Sequence, residues 1–186
     1  MNDFDLKLIL EALLMNASEP ISLDQIESVF EVWQKPGRDQ LRKVLNELAK
    51  DYENRAVELK ELASGFCVQT KAEFSPWISS FNAEKPAKYS RALLETLAII
   101  AYQQPVTRAD IEDLRGVSVS SAIIKTLIER EWIRIAGHRD VPGKPAIYAT
   151  TKTFLDYFNL KNLNDLPAMQ ASLNLIPVAE PEECVE

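Results

Sequence analysis

Trp132-Ile133-Arg134-Ile135-Ala136-Gly137-His138-Arg139-Asp140-Val141-Pro142-Gly143-Lys144-Pro145-Ala146-Ile147-Tyr148-Ala149 holds two short apolar runs joined by a polar loop with a glycine near each end. Branched and aromatic residues suit a half-buried pleated surface, and glycines punctuate turns, so residues 132–136 and 146–149 read as the strands of a long-looped hairpin. Three helical patterns precede it. Ser90 caps the first, over 91–103, whose Leu93, Leu94, Leu97, Ala98, Ile99, Ile100 and Ala101 leave little polar surface. Thr107-Arg108-Ala109-Asp110 opens a second, ending near 114, and Gly116 separates it from a third over 119–130 with Ala122, Ile123, Leu127 and Ile128 inward. Three helices followed by a hairpin is the winged-helix order.

The same plan stands earlier in the chain. Residues 5–16 form a helix with Leu6, Leu8, Ile9, Leu10, Leu13, Leu14 and Met15 apolar, and only Lys7 and Glu11 keep a polar stripe. Ser22 with Gln25 is a capping-box signal for a short helix through Phe30. Gly37 precedes a third helix over 38–52, with Leu41, Val44, Leu45 and Leu48 on one face. Residues 57–62 and 66–69 flank Ser64-Gly65 as a hairpin, and a closing helix over 74–81 carries Pro76 in its first turn. The loops Glu19-Pro20-Ile21-Ser22 and Gln104-Pro105-Val106-Thr107 match between the halves. The expected fold is mainly α with small β-hairpin wings, arranged as two tandem winged-helix domains: residues 1–82, a linker over 83–90, residues 91–168, and an acidic, disordered tail over 169–186.

The 186 residues carry 21 basic and 28 acidic side chains, a net charge of −7, which is acidic for a nucleic-acid binder. By segment the charge is −5 over 1–82, +1 over 83–90, +1 over 91–150 and −4 over 151–186. Cys67 and Cys184 stand in no pair or cluster with metal-ligand spacing, so neither a disulfide scaffold nor a metal is expected. The acidic start and the lack of a long apolar run point away from a membrane and toward the cytoplasm.

The residues supply no chemistry for catalysis. The one histidine, His138, sits in a loop without a partner cluster. Gly137-x5-Gly143-Lys144 resembles a phosphate loop, but it is one residue too long, Pro145 replaces the magnesium-binding Ser or Thr, and it joins strand to strand. Five scattered glycines make no dinucleotide fingerprint. No catalytic residue and no cofactor is therefore expected. The one basic cluster is the second wing, with Arg134, His138, Arg139 and Lys144, enough for two or three phosphates at most and so for weak DNA contact. The apolar excess on the two opening helices points instead to protein partners. A self-complementary helix patch builds a two-fold dimer, here expected at Leu6, Leu10 and Leu13; the alternative is that the closing helix covers this face within one chain.

Arg115-Gly116-Val117-Ser118-Val119, Leu127-Ile128-Glu129-Arg130 running into Trp132-Ile133, the Gly137–Pro145 loop, Tyr148-Ala149-Thr150-Thr151, Phe154-Leu155-x-x-Phe158 and Leu163-Asn164-Asp165-Leu166-Pro167 occur in this order. Together they closely resemble the segregation and condensation protein B family, over about residues 5–168. The family pattern has Arg or Lys where this chain has His138, and Gly where it has Ala149. The resemblance implies two winged-helix domains without enzymatic activity, in a protein that homodimerises through its first domain. It also implies a partner, the kleisin subunit, segregation and condensation protein A, which bridges the SMC ATPase in the complex that condenses and partitions the bacterial chromosome. Nucleoid association follows from that. Kleisin binding is expected on the second domain, with Leu93, Leu97 and Ile100 chosen for apolar excess and the Arg115-Gly116-Val117 turn shaping the adjoining surface. The rival reading is a winged-helix transcription regulator that binds DNA.

Overall fold

The computed structural model describes residues 2–82 and 89–168. Most of the expected linker and all of the expected acidic tail lie outside these residues.

The first helix, α1 (Asp3–Asn16), starts where the Asn2 side chain accepts the Asp5 N–H, and Asp3 and Asp5 favour the positive end of its dipole. Leu6, Leu10 and Leu14 recur every fourth residue and are buried. They share a core with Leu41, Val44, Leu45 and Leu48 of α3 (Arg38–Asp51) and with Ile26 of α2 (Leu23–Ser28). The Ser22–Gln25 capping box forms as the sequence indicates. The helix it starts is two residues shorter than expected, because the Phe30 N–H turns back to the Glu27 carbonyl, 3.3 Å, instead of continuing the helical ladder.

Strands β1 (Val57–Glu61) and β2 (Phe66–Thr70) pair antiparallel, from Val57 opposite Thr70 to Glu61 opposite Phe66. The hairpin is anchored to the loop after α1 by two bonds, Ile21 N–H to the Phe66 carbonyl and the reverse, both 2.8 Å. That pairing brings Ile21 against Gly65. A β-carbon at Gly65 would stand inside van der Waals contact of the Ile21 carbonyl, and its φ of +154° suits few side chains. After a 3₁₀ turn over Ala72–Phe74 comes α4 (Ser75–Asn82), which buries none of its side chains. It therefore does not serve as the cover for α1 that the sequence allowed.

The second unit starts with α5 (Arg91–Gln103), capped by Ser90, with Leu93, Leu97, Ile100 and Ala101 inward. Its core joins these to Ile111 of α6 (Arg108–Arg115), to Ile124 and Leu127 of α7 (Ser121–Glu129), and to Val119, Trp132, Ile133 and Phe154. Between α5 and α6 lies a strand that the sequence reading missed, β3 (Val106–Thr107). It pairs with β5 (Ala146–Thr150), which pairs with β4 (Ile133–His138), giving the order β3-β5-β4. Ile21 and Phe66 make the same bridge in the first unit, reduced to one residue pair. The final helix, α8 (Lys152–Tyr157), is capped by Thr151 and packs Tyr157 and Phe158 with their ring centroids 4.7 and 5.5 Å from that of Trp132. The two cores share no side chain.

Gly65→Ala is expected to destabilise the first unit by about 1–3 kcal/mol through overpacking against Ile21. A urea midpoint equal to that of the wild type would show that the turn yields without cost.

Candidate interaction surfaces

On α1 the i, i+4 register that fills the core settles which residues are left outside. Leu6 and Leu10, expected at a dimer interface, are fully buried in their own unit, and Leu13 is half-buried beside them. The reason is that a unit this small needs its best-placed leucines for its own core. The opposite side exposes Phe4 at 68%, Leu8 at 50% and Met15 at 54%, with exposed Ala12 between them. These positions fall four, four and three residues apart, which makes one continuous stripe. Lys7 and Glu11, which read as a solvent stripe in the sequence, instead face the end of α3. Lys7 pairs with Asp51, and Glu11 accepts the Tyr52 hydroxyl at 2.9 Å. Burial and that bond push the Tyr52 hydroxyl up to about 12.

The second unit repeats the correction. Leu93, Leu97 and Ile100 are core residues and offer no surface to a partner. Arg115 is also turned inward, its side chain 8% exposed and its guanidinium 3.1 Å from Glu95 on α5, so it fastens α6 to α5. Arg91 and Arg115 together hold the Glu95 carboxyl below the usual carboxylate range. Gly116 takes the left-handed conformation, φ +70°, that ends α6. Beyond it Val117 is exposed, and so are Leu114 and Leu94. These three are positions on and beside α5 and α6 left over once the inward register is fixed.

The second wing is less basic than its composition. Arg139 donates to both carboxylate oxygens of Asp110, at 3.0 and 2.6 Å, which pins the wing to the start of α6. A bulge at Ala136 shifts the β4 register, since Ile135 faces Tyr148 but Gly137 faces Ile147. Arg134 therefore shares a face with Ala149, and His138 lies on the other face with Ala146. The expected cluster of Arg134, His138, Arg139 and Lys144 is thus divided between two faces, with one member neutralised. Cys67, on β2, is partly buried, which raises its thiol pKa. Among the described residues no three His, Cys, Asp or Glu side chains are grouped to hold a metal. No helix among them is long and apolar enough to cross a membrane.

Two small units, each with three helices leading into a hairpin and a fourth helix after it, define a tandem winged-helix protein. Its reactive side chains are scattered, and its outward faces carry the unpaired apolar residues. The chain belongs to the family of segregation and condensation complex subunit ScpB, whose sequence profile matches residues 8–169. It is 48% identical over 175 residues to a segregation and condensation protein B homolog of Coxiella burnetii, covering 94% of this chain and 84% of that protein. It is 41% identical over 182 residues to segregation and condensation protein B of Syntrophotalea carbinolica, covering 97% of this chain and 90% of that one. A solved structure described as a dimer of the ScpB N-terminal domain complexed with ScpA peptide is 35% identical, covers 41% of this chain and 94% of its own, and superposes with a TM-score of 0.37.

The wing tie has a pH signature. Asp110 is lowered from 3.8 to about 2, first by the Arg139 hydrogen bonds and then by the Thr107 backbone N–H. A depressed carboxylate contributes its stability in full above 3.8 and loses it as the pH falls through about 2. Asp110→Asn is expected to unfold at lower urea than the wild type at neutral pH, with the two midpoints converging between 3.8 and 2. Tryptophan fluorescence measures both midpoints, and curves that stay parallel across that window would show that the pair adds nothing.

Proposed function

We propose that the chain is a non-catalytic accessory subunit of an SMC–kleisin complex, acting in chromosome condensation and partition. In this reading it pairs with a second copy through its first unit and holds the kleisin through its second. The observation that carries the reading is the apolar surface left over when both cores are full: Phe4, Leu8 and Met15 on α1, and Leu94, Leu114 and Val117 at the α5–α6 edge. Exposed large apolar groups in a continuous stripe mark protein contact more than solvent exposure. A helix stripe is self-complementary under a two-fold axis, so the α1 face suits a second copy and the α5–α6 edge suits the kleisin. The SMC ATPase is then reached through the kleisin, and the chain works in the cytoplasm beside the nucleoid. The transcription-regulator reading is weaker, because one wing arginine is tied to Asp110 and Arg134 and His138 lie on opposite faces of the hairpin.

Leu8→Glu is expected to give a folded monomer by light scattering where the wild type gives a dimer. Leu10→Glu would instead place a charge in the core and unfold the unit, so it cannot serve as the probe. Val117→Glu is expected to abolish co-purification with the kleisin at moderate salt and leave the dimer intact. Kleisin retained by Val117→Glu but lost in Leu8→Glu would move the binding site to the first unit. A sequence-specific DNA footprint whose affinity falls steeply with salt would favour the regulator instead.

A further inference from the structure

The tip of the first hairpin makes bonds that the hairpin itself does not need. Within the turn, the Leu62 N–H returns to the Gly65 carbonyl at 2.7 Å, which closes it. The next two amides point away from the hairpin and are taken up by the second unit. Ala63 N–H donates to the Leu160 carbonyl at 3.2 Å, and Ser64 N–H donates to the Asp156 carboxylate at 3.0 Å. Consecutive backbone N–H groups in a turn form a concave donor site suited to an anionic oxygen.

Both sides are prepared for the contact. Gly65 lies against Ile21, so the turn is held by its own unit. On the other side, Asn159, two residues past the end of α8, takes the left-handed conformation, φ +58°, and Leu160 N–H folds back to the Leu155 carbonyl at 2.8 Å. That reversal carries the Leu160 carbonyl to the same place as the Asp156 side chain. One residue further, Lys161 donates to Glu61 at 2.7 Å, while the other oxygen of Glu61 lies 3.5 Å from Arg42 of α3. The two cores share no side chain, so these bonds join two separately packed units.

We propose that the Leu62–Gly65 turn is a docking element for the end of α8, with Asp156 as its positioning residue, and that this tie holds the two units in one orientation. The chain then presents its α1 stripe and its α5–α6 edge at a fixed mutual angle. The tie does not rest on the function proposed above, because it is made within one chain whatever that chain binds.

Amide hydrogen exchange on the full chain tests it. In the wild type the Ala63 and Ser64 amides are expected to exchange more slowly than those of Asp140 and Gly143 in the loop of the second wing, and ¹⁵N relaxation is expected to give one tumbling time for both units. Asp156→Ala removes the acceptor and is expected to speed exchange at Ser64 on the order of tenfold, as loss of a hydrogen bond to a charged group predicts. Asp156→Asn keeps an acceptor oxygen and is expected to retain most of the protection. Amides of α3 and α5 should stay protected in both variants, which separates release of the tie from unfolding. Should Asp156→Ala unfold the chain, the wild type alone decides. Unprotected Ala63 and Ser64 amides with two independent tumbling times would overturn the proposal, and so would unchanged Ser64 exchange in a folded Asp156→Ala chain.

Discussion

Each unit is closed by a strand pairing between the loop after its first helix and the return strand of its hairpin. In the first unit the pairing is one residue wide, Ile21 with Phe66, and in the second two, Val106 with Tyr148 and Thr107 with Ile147. Without it a winged helix is three helices with a hairpin attached at one end, because the loop would leave its backbone groups unpaired and the hairpin would keep only its own ladder. The pairing also sets local chemistry. Thr107 is a strand residue and the cap of α6 at once, its hydroxyl accepting the Asp110 N–H while the Asp110 carboxylate accepts the Thr107 N–H. Asp110 is thereby placed where Arg139 reaches it, so the wing is tied down by a residue whose position the sheet determines.

The features legible in the sequence were those written in neighbouring residues. Capping pairs such as Ser22 with Gln25 and Ser90 before Leu93 are local chemistry, and Gly116 ends α6 for a conformational reason that holds in any fold. Strand β3 was not legible, because two residues show no period and Val106-Thr107 reads equally as the lead-in to a helix. The bulge at Ala136 has no signature either, yet it decides which wing cations share a face. The direction of α1 was the costliest omission. A helix apolar almost all round has no preferred side, so pattern alone could not separate Leu6 and Leu10 from Phe4 and Leu8. Lys7 and Glu11 would have decided it had the two been assigned to α3 and not to water.

Charge illustrates the same limit. A count over the second unit gives a small excess of cations, and a cluster in the wing looks like a surface for phosphate. In three dimensions the same charges are spent inside the fold: Arg139 on Asp110, Arg108 on Glu112 and Ser121, Arg115 on Glu95. These contacts join α6 to its neighbours and to the wing, so arginine here does the work of positioning helices. Their geometry is what places α6.

Polar and apolar groups are divided by what each can specify. Apolar burial is large but non-directional, so it suits the two cores and the outward stripes, where area matters. The hydrogen bonds between the units use backbone amides, a carboxylate and one lysine, groups that fix distance and angle. The α1 stripe and the α5–α6 edge stay outside both the cores and this tie, so their apolar area is left for a partner chain to bury.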